Sequence, residues 1–561
     1  MAPRSRGLDQ TPMTKFKPDT LEFLLQTDVT EALLRETGSK QWQPLYRHSE
    51  GPEHRFTMWC ALLDGEAAEN AIERDSWDLS IGHGKPGFSE SWPKGRKEKE
   101  IIYHRFGDTS GIRPLLHRRS FSGAFPQYLE LDEEFRHYHD LAEDKTRDRL
   151  LTFDASGREI EVVRITSNEV TAQLKFLRQF QAGTELHLAI LLDSVRYSTI
   201  PLKNVPSEEC TRVEVGTGAR WRRDIAQCKF KQGYETFSRV LGKVILPPTD
   251  RAKAGIWPFV DEARRSVSFV IGIDQEGNEF EHTSDPDELD NYFGANPGAP
   301  HYLTPVFFRR EVLAKYFGEP HRYEVSDGRL TCLNLWSCQI DNDLQSYVVV
   351  FLGDLGRDLP YEEQLHWRQY NVVPDGEISE TNFRRSFLAQ FVNAEAADLT
   401  FRQEYTDICA TWVNRQGWPL FLPPSSGDSH LLNTIRIPVT NSQSEFDEQV
   451  GCLAKLLVDF LNEKAISECA GPFEPEAKGI TKFDRFLEQT QFPERTSLIQ
   501  LLRDLQDLRS AGSAHRKGSR YEKITGKLGV NEAQKADAIR RLLSQAAAGL
   551  RVLRRHYCEE G

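Results

Sequence analysis

Two short segments share one order of apolar, acidic and glycine positions, and each predicts a β-hairpin. Residues 153–161 read FDASGREIE, and residues 273–281 read IDQEGNEFE. An apolar, strand-like run flanks each segment, and the glycine supplies the positive φ that a tight turn requires. The match indicates either two related β-rich units or a common turn pattern that recurs by chance.

Longer apolar runs predict buried strands. Residues 185–197 read ELHLAILLDSVRY, and residues 347–352 read YVVVFL. The second run is filled with β-branched and aromatic residues, so we expect it at the centre of a sheet. The first 120 residues mix short apolar runs with loops rich in Gly, Pro and charge, a mixture that indicates both helices and strands.

After residue 428 the apolar period becomes helical. One helix starts at the capping-box-like Ser444, a shorter one starts at Thr481, and the last starts at Asn531. The three longest apolar stripes are Phe446, Val450, Leu453, Leu457 and Leu461; Leu498, Leu501, Leu502, Leu505 and Leu508; and Ile539, Leu542, Leu543, Ala546, Leu550 and Leu553. Such stripes are buried when helices pack on one another, so the pattern predicts an antiparallel helical bundle.

These patterns together predict an α+β fold with a β-rich or mixed N-terminal and central region followed by the bundle. We expect an α+β region over residues 1–265 and a β-containing central domain over residues 266–430. If the two hairpin segments are duplicates, the central domain is related to part of the first. The helical bundle covers residues 444–561. A chain of 561 residues is long enough for several such domains.

Composition narrows the class of protein. The hydrophobic fraction is 39%, and no uninterrupted apolar run approaches twenty residues, so we expect no membrane span. The basic residues 1–7 are followed by polar residues rather than an apolar stretch, which favours a cytoplasmic protein without a secretory signal. None of the nine cysteines forms a CxxC pair, so we expect reduced thiols and no structural zinc site.

Charge is distributed unevenly along the chain. The formal net charge is -13, yet residues 491–561 contain 14 Lys and Arg against 8 Asp and Glu. The acidic body disfavours nonspecific binding of polyanions, whereas the basic C-terminal segment permits it locally.

The basic segment contains the strongest candidate for chemistry. Arg509 and His515 lie six positions apart, which on one unbroken helix would set them about 120° apart around the axis. Ser510, Gly512 and Ser513 are poor interior helix residues, so the sequence predicts a break that lets the two side chains converge. A guanidinium matches phosphate oxygens and an imidazole transfers protons near pH 7, so the pair can cleave RNA without a metal.

The Arg-x5-His spacing within a helical segment resembles the HEPN superfamily, whose motif is Arg-x4-6-His in a small helical bundle. The resemblance covers about the last 120 residues. It implies a dimeric endoribonuclease in which motifs from two protomers face each other across a composite cleft. Many such domains act in bacterial toxin and antiviral systems. This chain has Ser510 after the arginine, where the family usually has Asn, Asp or His.

Our first hypothesis is therefore a metal-independent endoribonuclease effector of a defence or toxin-type system, with a sensing or regulatory N-terminal region. Its catalytic residues would be Arg509 and His515, and no cofactor is expected. The predicted RNA-binding cations are Arg516, Lys517, Arg520 and Lys523. Expected partners are RNA, a second copy of the chain or a larger homo-oligomer, and a protein or nucleic-acid activator. The alternative is a noncatalytic RNA- or protein-binding scaffold whose bundle keeps only the dimer interface.

Other constellations carry weaker signals. The loop at residues 82–87, GHGKPG, looks like a phosphate loop but lacks the Gly-Lys-Ser/Thr ending, so it predicts a turn. His137 and His139 would share one face of a strand beside Asp140, as metal ligands can, but no third ligand is identifiable and ordinary surface histidines are the favoured interpretation.

Two further groups of residues resemble functional sites. Four aspartates near the predicted central strand would suit divalent cations, but turn chemistry explains them as well and is the favoured interpretation. These are Asp341, Asp343, Asp354 and Asp358. The aromatic run at residues 365–370, LHWRQY, would suit base stacking, but core packing with a polar edge is the favoured interpretation.

Overall fold

The computed structural model describes residues 16–559 except 75–76, 78–85, 96–97, 105–110, 260–264, 389, 391–392, 426, 475, 513–517 and 532. The chain divides into two compact units. Unit 1 spans Met1–Asp154 and Arg158–Ala263, and unit 2 spans Ala155–Gly157 and Arg264–Gly561. Both strands and helices are extensive, which confirms the predicted α+β class. Among the described residues, no helix has the length and apolarity needed to cross a bilayer.

Unit 1 is built mainly from antiparallel strands. Its helices are α1 (Leu21–Leu25), α2 (Thr27–Glu36), α3 (Gly65–Glu73), α4 (Glu133–Tyr138) and α5 (Leu174–Thr184). Its strands are β1 (Trp42–Glu50), β2 (His54–Leu63), β3 (Gly87–Ser91), β4 (Glu100–His104), β5 (Ile112–Arg113), β6 (Leu116–Arg119), β7 (Tyr128–Leu131), β8 (Ala142–Asp144), β9 (Arg149–Phe153), β10 (Glu159–Ile165), β11 (Glu169–Gln173), β12 (His187–Ser198), β13 (Thr211–Gly216), β14 (Ala219–Gln227) and β15 (Thr236–Leu246).

One large sheet organises this unit. Its strand order is β13-β14-β15-β12-β2-β1-β11-β10-β9-β8, with β5 paired to β2. Two separate hairpins, β3 with β4 and β6 with β7, stand outside that sheet. The predicted strand at residues 185–197 is β12, and it lies in the middle of the sheet between β15 and β2.

Strand β12 is apolar on both faces because both faces are covered. Leu188, Ile190 and Leu192 belong to the main core of the unit. Ala189 and Leu191 point to the opposite face and pack in a second cluster with residues of α3. A strand that is buried on both faces has a continuous apolar run rather than an alternating one. This run is the reason that the sequence predicts a buried strand here.

Unit 2 begins with short strands and continues as helices. Its strands are β16 (Ser268–Ile273), β17 (Glu279–Thr283), β18 (Pro305–Arg309), β19 (Tyr323–Ser326), β20 (Arg329–Cys332), β21 (Trp336–Gln339), β22 (Tyr347–Phe351) and β23 (Asn371–Val372). Its helices are α6 (Ala314–Gly318), α7 (Leu352–Asp358), α8 (Tyr361–Arg368), α9 (Glu380–Leu388), α10 (Ala397–Gln416), α11 (Leu431–Thr434), α12 (Gln443–Ala454), α13 (Glu463–Ala470), α14 (Gly479–Gln489), α15 (Arg495–Gly512), α16 (Ser519–Lys527) and α17 (Lys535–Arg554).

The expectation that residues 347–352 form a central strand was wrong. The run is strand β22, which lies at one side of the three-stranded sheet β22-β18-β23, and β18 is the central strand. On its other side β22 makes only an isolated bridge, between Val349 and Asp341. Val348 and Val350 are nevertheless buried in the core of this region, and Val349 is buried as well. The apolar run therefore predicts correctly that the strand is buried, but it does not predict whether the strand is central or outer in its sheet.

Both predicted hairpins are confirmed. Phe153 pairs with Glu159 across the β9–β10 turn, and Ile273 pairs with Glu279 across the β16–β17 turn. Gly157 and Gly277 have φ of 73° and 88°, as the pattern requires. The surroundings differ, since β9 and β10 belong to the large sheet and β16 pairs only with β17. The shared turn accounts for the shared pattern, and a relation between the two β-rich units stays a prediction.

The helical stripes predicted for the C-terminal region are buried at every position. Each of their residues belongs to one large core. The helix starts differ by a few residues, because Ser442 caps α12 by accepting a hydrogen bond from the Glu445 backbone amide, and α17 begins at Lys535.

Helix α10 also belongs to this core, although the sequence analysis assigned its residues to the central domain. Phe401, Tyr405, Ile408 and Trp412 are buried with the apolar stripes of the later helices. The buried carboxylate of Glu404 pairs with Arg551 of α17 at 2.7 Å. The helical core therefore begins near residue 397, and the domain limits proposed from the sequence stay a prediction.

Replacement of Trp412 tests how strongly α10 contributes to the helical core. The Trp412 side chain has no exposed surface, whereas its neighbour Val413 is 41% exposed on the same helix. We expect Trp412→Ala to lower the free energy of unfolding by about 3 to 5 kcal/mol and Val413→Ala to lower it by less than about 1 kcal/mol. Urea unfolding followed by circular dichroism at 222 nm measures both, and equal losses would contradict the assignment.

Candidate active site

Arg509 lies in the last turn of α15, next to the buried leucine stripe. Leu505 and Leu508 are buried in the helical core, whereas the Arg509 side chain is 28% exposed. The guanidinium is therefore held at the edge of the core, where it reaches solvent without leaving a buried charge.

A carboxylate that the sequence analysis did not single out contacts this arginine. Arg509 Nη1 lies 2.5 Å from Asp459 Oδ2. Asp459 ends a π-helical turn, Lys455–Asp459, that continues α12 without a break. Leu456, Leu457 and Val458 of this turn are buried, so the backbone that carries Asp459 is fixed against the core.

The other half of the predicted motif cannot be placed. His515, Arg516 and Lys517 lie outside the described residues. The described part of α15 extends to Gly512 and includes Ser510, and α16 begins at Ser519 after the extended residue Gly518. The break predicted between Arg509 and His515 stays a prediction. The distance between Arg509 and His515 stays a prediction.

Helix α16 runs back along α15. Arg520 Nη2 lies 2.8 Å from Asp507 Oδ1, and Lys527 Nζ lies 2.6 Å from Asp504 Oδ1. Of the predicted RNA-binding cations, Arg520 thus has a carboxylate partner, and Lys523 is exposed on the same helix. Exposed ion pairs contribute little to stability, so the Asp507 carboxylate is a partner that a phosphate can replace.

Further polar groups surround the C-terminal end of α15. Gln443 Nε2 donates to Asp447 Oδ1 at 2.7 Å and to the Tyr521 hydroxyl at 2.8 Å. A Cβ added to Gly512 would lie 3.4 Å from both Asp447 and Tyr521. A carboxylate, an amide and a phenol therefore lie beside the last residue of the helix. No motif spacing pointed to them, because they come from α12 and α16.

The side chains named at this end of α15 are one guanidinium, one amide, one phenol and two carboxylates. A guanidinium offers two parallel donors to phosphate oxygens, and a nearby phenol can donate a further hydrogen bond. The carboxylates of Asp459 and Asp447 oppose an incoming polyanion by charge. The groups named at this helix end thus carry one positive charge, on Arg509, and two negative charges, on Asp459 and Asp447.

Two of the four aspartates weighed as a cation site hold helix ends instead. Asp341 accepts hydrogen bonds from the backbone amide and the hydroxyl of Ser379, each at 2.8 Å, immediately before α9. Asp343 accepts the amides of Glu395 and Ala396 immediately before α10. Carboxylates at these positions satisfy the unpaired amides of a helix N-terminus.

The other two aspartates bind an arginine. Asp358 Oδ1 lies 2.6 Å from Arg357 Nε, and Asp354 Oδ1 lies 2.9 Å from Arg357 Nη2. Asp354 also accepts a hydrogen bond from the Tyr302 hydroxyl, and burial raises the pKa of Asp354. Within the described part of the chain, no group of three or more His, Cys, Asp or Glu is arranged to hold a metal ion.

The histidine pair is not on a strand. His137 belongs to α4 and is exposed, whereas His139 follows the helix and packs against Phe135 and Phe176. His139 Nε2 donates to the Phe176 carbonyl at 2.9 Å. Burial lowers the pKa of His139 to about 4. The two rings therefore do not form a metal pair.

The aromatic run at residues 365–370 is part of the core, as favoured from the sequence. The Trp367 side chain is fully buried, and its indole Nε1 donates to the Tyr316 hydroxyl at 2.8 Å. Tyr316 in turn donates to the buried carboxylate of Glu363 at 2.7 Å. The Trp367 ring is therefore held inside the core by packing and by this chain of hydrogen bonds.

The lowered pKa of His139 predicts a pH dependence of stability. Because the unfolded chain binds a proton near pH 6.5 and the folded chain only near pH 4, stability is complete above pH 6.5 and falls as the pH is lowered towards 4. The expected loss is about 1 to 3 kcal/mol. In urea unfolding across this range, His139→Gln should show a flatter dependence than the parent. His137→Gln, the matched exposed control, should not. Identical slopes for all three proteins would refute the assignment.

No family model, curated protein or solved structure matches this chain. The resemblance to HEPN domains is therefore carried by Arg509, His515 and the apolar helical stripes alone.

Proposed function

We propose that this protein is an endoribonuclease that cleaves RNA without a metal, using Arg509 and His515. The observation that carries the proposal is the placement of Arg509, a partly exposed guanidinium at the end of α15 just before the chain turns back into α16. The segment between Gly512 and Ser519 is long enough for the chain to place the His515 side chain beside Arg509.

The proposed reaction is an internal transfer. His515 takes the proton of a ribose 2′-hydroxyl as its oxygen attacks the adjacent phosphorus, and the bond from phosphorus to the 5′-oxygen breaks. Arg509 stabilises the charge that builds up on the non-bridging oxygens. A proton returns to the 5′-oxygen, which gives one product with a 2′,3′-cyclic phosphate and one with a 5′-hydroxyl.

The proposal extends to assembly and biological role. One Arg-His pair is half of the composite site that the HEPN resemblance implies, so we propose a two-fold symmetric homodimer or a larger assembly that joins through the helical region. RNA is the substrate. The resemblance also supports a role as an effector of a bacterial defence or toxin-type system, with unit 1 and the central strands acting as the sensing region.

One observation favours the alternative, a noncatalytic RNA- or protein-binding scaffold. Arg509 is engaged by Asp459, and Ser510 occupies the position where the family usually has Asn, Asp or His. An arginine held by a carboxylate can serve as a structural ion pair as well as a catalytic group. The two functions differ in one measurable respect, since only the first breaks the RNA backbone.

Substitution of the two motif residues tests catalysis directly. We expect Arg509→Ala and His515→Ala each to lower the rate of RNA cleavage by about 100-fold to 10,000-fold. The double variant should cleave scarcely more slowly than either single variant. When two groups act on the same phosphate, the rate losses caused by removing each of them do not add. Cleavage of a fluorescent RNA should continue in EDTA, require the 2′-hydroxyl and leave a cyclic phosphate detectable by mass spectrometry.

Arg503→Ala is the matched control for these variants. Arg503 lies on the same helix and pairs with Asp484 at 2.9 Å. Its replacement by alanine therefore removes an ion pair like that of Arg509 with Asp459, but away from the end of the helix. The control should cleave RNA as the parent does. Full activity of His515→Ala, or cleavage of DNA that depends on magnesium, would refute the proposal. Intact RNA binding with no cleavage by the parent protein would establish the scaffold instead.

The ion pair with Asp459 gives a second test. Asp459→Asn removes the negative charge but keeps an oxygen that can accept a hydrogen bond from Arg509, so the guanidinium stays in place. We expect RNA to bind about fivefold more tightly at low salt, and the gain to shrink as salt is added. Binding is measured by fluorescence anisotropy, with His515→Ala as the background so that the RNA stays intact.

The control for this change is Asp484→Asn. Asp484 is a carboxylate of α14 that pairs with Arg503 at 2.9 Å, so this variant also removes one negative charge beside a cation. Equal gains from Asp459→Asn and Asp484→Asn would show a general charge effect, and then Arg509 would not be the phosphate-binding group.

A further inference from the structure

We propose that the outer edge of strand β13 pairs with the same strand of a second copy of this chain. The two β13 strands run antiparallel about a two-fold axis at Val213, and the large sheets of the two copies continue into each other. This interface, here called the β13 edge, is formed by residues of unit 1 and is independent of RNA cleavage.

The β13 edge is uncovered. Strand β13 lies at one end of the large sheet, and β14 is its partner among the described strands. All six residues of Thr211–Gly216 are exposed, including Val213 at 45% and Val215 at 62%. An exposed edge strand presents a row of main-chain donors and acceptors to which another strand can bind.

The opposite end of the same sheet is protected against such pairing. Strand β8 is three residues long, Ala142–Asp144, and its last two residues are acidic. Short edge strands and repelling charges oppose the addition of another strand. Strand β13 has twice that length, contains neither Pro nor Lys, and keeps a regular register with β14 over all six residues.

Alternate residues of β13 point their main-chain groups away from β14. The Ile225 amide donates to the Cys210 carbonyl at 2.7 Å, so Cys210 and Ile225 form a hydrogen-bonded pair. Because such pairs alternate with non-hydrogen-bonded pairs along an antiparallel ladder, the even-numbered residues of β13 bond towards β14. The amides and carbonyls of residues 211, 213 and 215 therefore point to the open side.

Side-chain charge selects one register for two β13 strands. With Val213 opposite Val213 of the second copy, Arg212 of each chain lies opposite Glu214 of the other. Unlike charges directly opposite each other stabilise a strand pair, and like charges destabilise it. A shift of two residues, the smallest that keeps the side chains on the same faces, would place Arg212 opposite Arg212 or Glu214 opposite Glu214.

The same register matches the main-chain groups. Residue 213 meets residue 213, and residue 211 meets residue 215, so the outward amides and carbonyls form about six hydrogen bonds between the copies. Arg212 and Glu214 already form an ion pair within their own strand at 2.5 Å. Two paired strands therefore carry a row of alternating charges. The β13 edge is thus complementary to itself, which identifies a second copy of the chain as its partner.

Cysteine cross-linking tests both the partner and the register. In the proposed pairing the Cα atoms of the two residues 213 are about 5.5 Å apart, a separation that suits a disulfide. The two residues 215 lie at opposite ends of the pair, about 13 Å apart or more. After oxidation, we expect Val213→Cys to give a cross-linked dimer on a non-reducing gel about fivefold more abundantly than Val215→Cys. The parent, with its nine cysteines, gives the background.

Charge reversal tests the recognition between the copies. Glu214→Arg places two arginines opposite each other, and Arg212→Glu places two glutamates opposite each other. Each single variant should associate through the β13 edge about tenfold more weakly than the parent. The double variant, Arg212→Glu with Glu214→Arg, restores unlike charges and should recover the affinity of the parent. An equimolar mixture of the two single variants should also associate.

The matched control is Glu69→Arg, which makes the same change of charge at an exposed position of α3. It should associate as the parent does. Five paired residues bury less surface than a stable interface, so we expect a dissociation constant on the order of 10 to 100 µM, measured by sedimentation velocity over that range. Circular dichroism should be unchanged in all variants because the altered side chains are exposed.

Three results would overturn the proposed pairing. The first is a cross-link yield of Val213→Cys no higher than that of the parent. The second is equal cross-linking of Val213→Cys and Val215→Cys, which would contradict the register. The third is association of both single charge variants as tight as that of the parent, which would place the contact between copies elsewhere in the chain.

Discussion

The leucine row on α15 determines where the candidate site can be. Leu498, Leu501, Leu502, Leu505 and Leu508 are all buried in the C-terminal core, and burial of each large aliphatic side chain stabilises the fold by about 1.5 to 3 kcal/mol. That free energy sets the rotation of the helix about its own axis. Arg509, one residue after the last leucine, is thereby kept at the boundary between core and solvent.

Several buried or half-buried acidic residues of this protein are structural partners of the backbone and of arginine. Asp341 and Asp343 accept hydrogen bonds from backbone amides at the starts of α9 and α10, and Glu404 of α10 forms an ion pair with Arg551 of α17. Asp459 holds Arg509 in the same way. A negative net charge is therefore compatible with anion binding, because many carboxylates are already matched by local donors. What decides binding is the charge within a few ångströms of the phosphate, since salt screens the rest.

Local chemistry was well predicted from the sequence. Both Asp-x-x-Gly hairpins and every residue of the three long helical stripes were placed correctly, because each depends on a turn or a period within a few residues. Long-range relations were not. Strand β22 is apolar because it is covered, and nothing within YVVVFL tells a central strand from an outer one. Helix α10 was missed since buried polar residues such as Asp398 and Glu404 interrupt its apolar pattern.

In the candidate site too, the residues set by local sequence could be predicted and the partners that are distant in sequence could not. Arg509 could be found from its spacing to His515 and from the helix-ending residues after it. Asp459 is fifty positions earlier, and its direction depends on a π turn that a period of 3.6 residues does not describe. Tyr521 and Gln443 come from two other helices. Only the folded chain brings these groups to one helix end.

The π turn at Lys455–Asp459 contains one residue more than an α-helical turn would need. If these same residues formed an ordinary α-helical turn while the residues before them kept their buried positions, the Asp459 carboxylate would be rotated by about 100° around the helix axis. The extra residue of the π turn therefore sets which side chain of the segment faces Arg509. The number of residues in this segment and its helical geometry together decide whether an acid lies opposite the guanidinium.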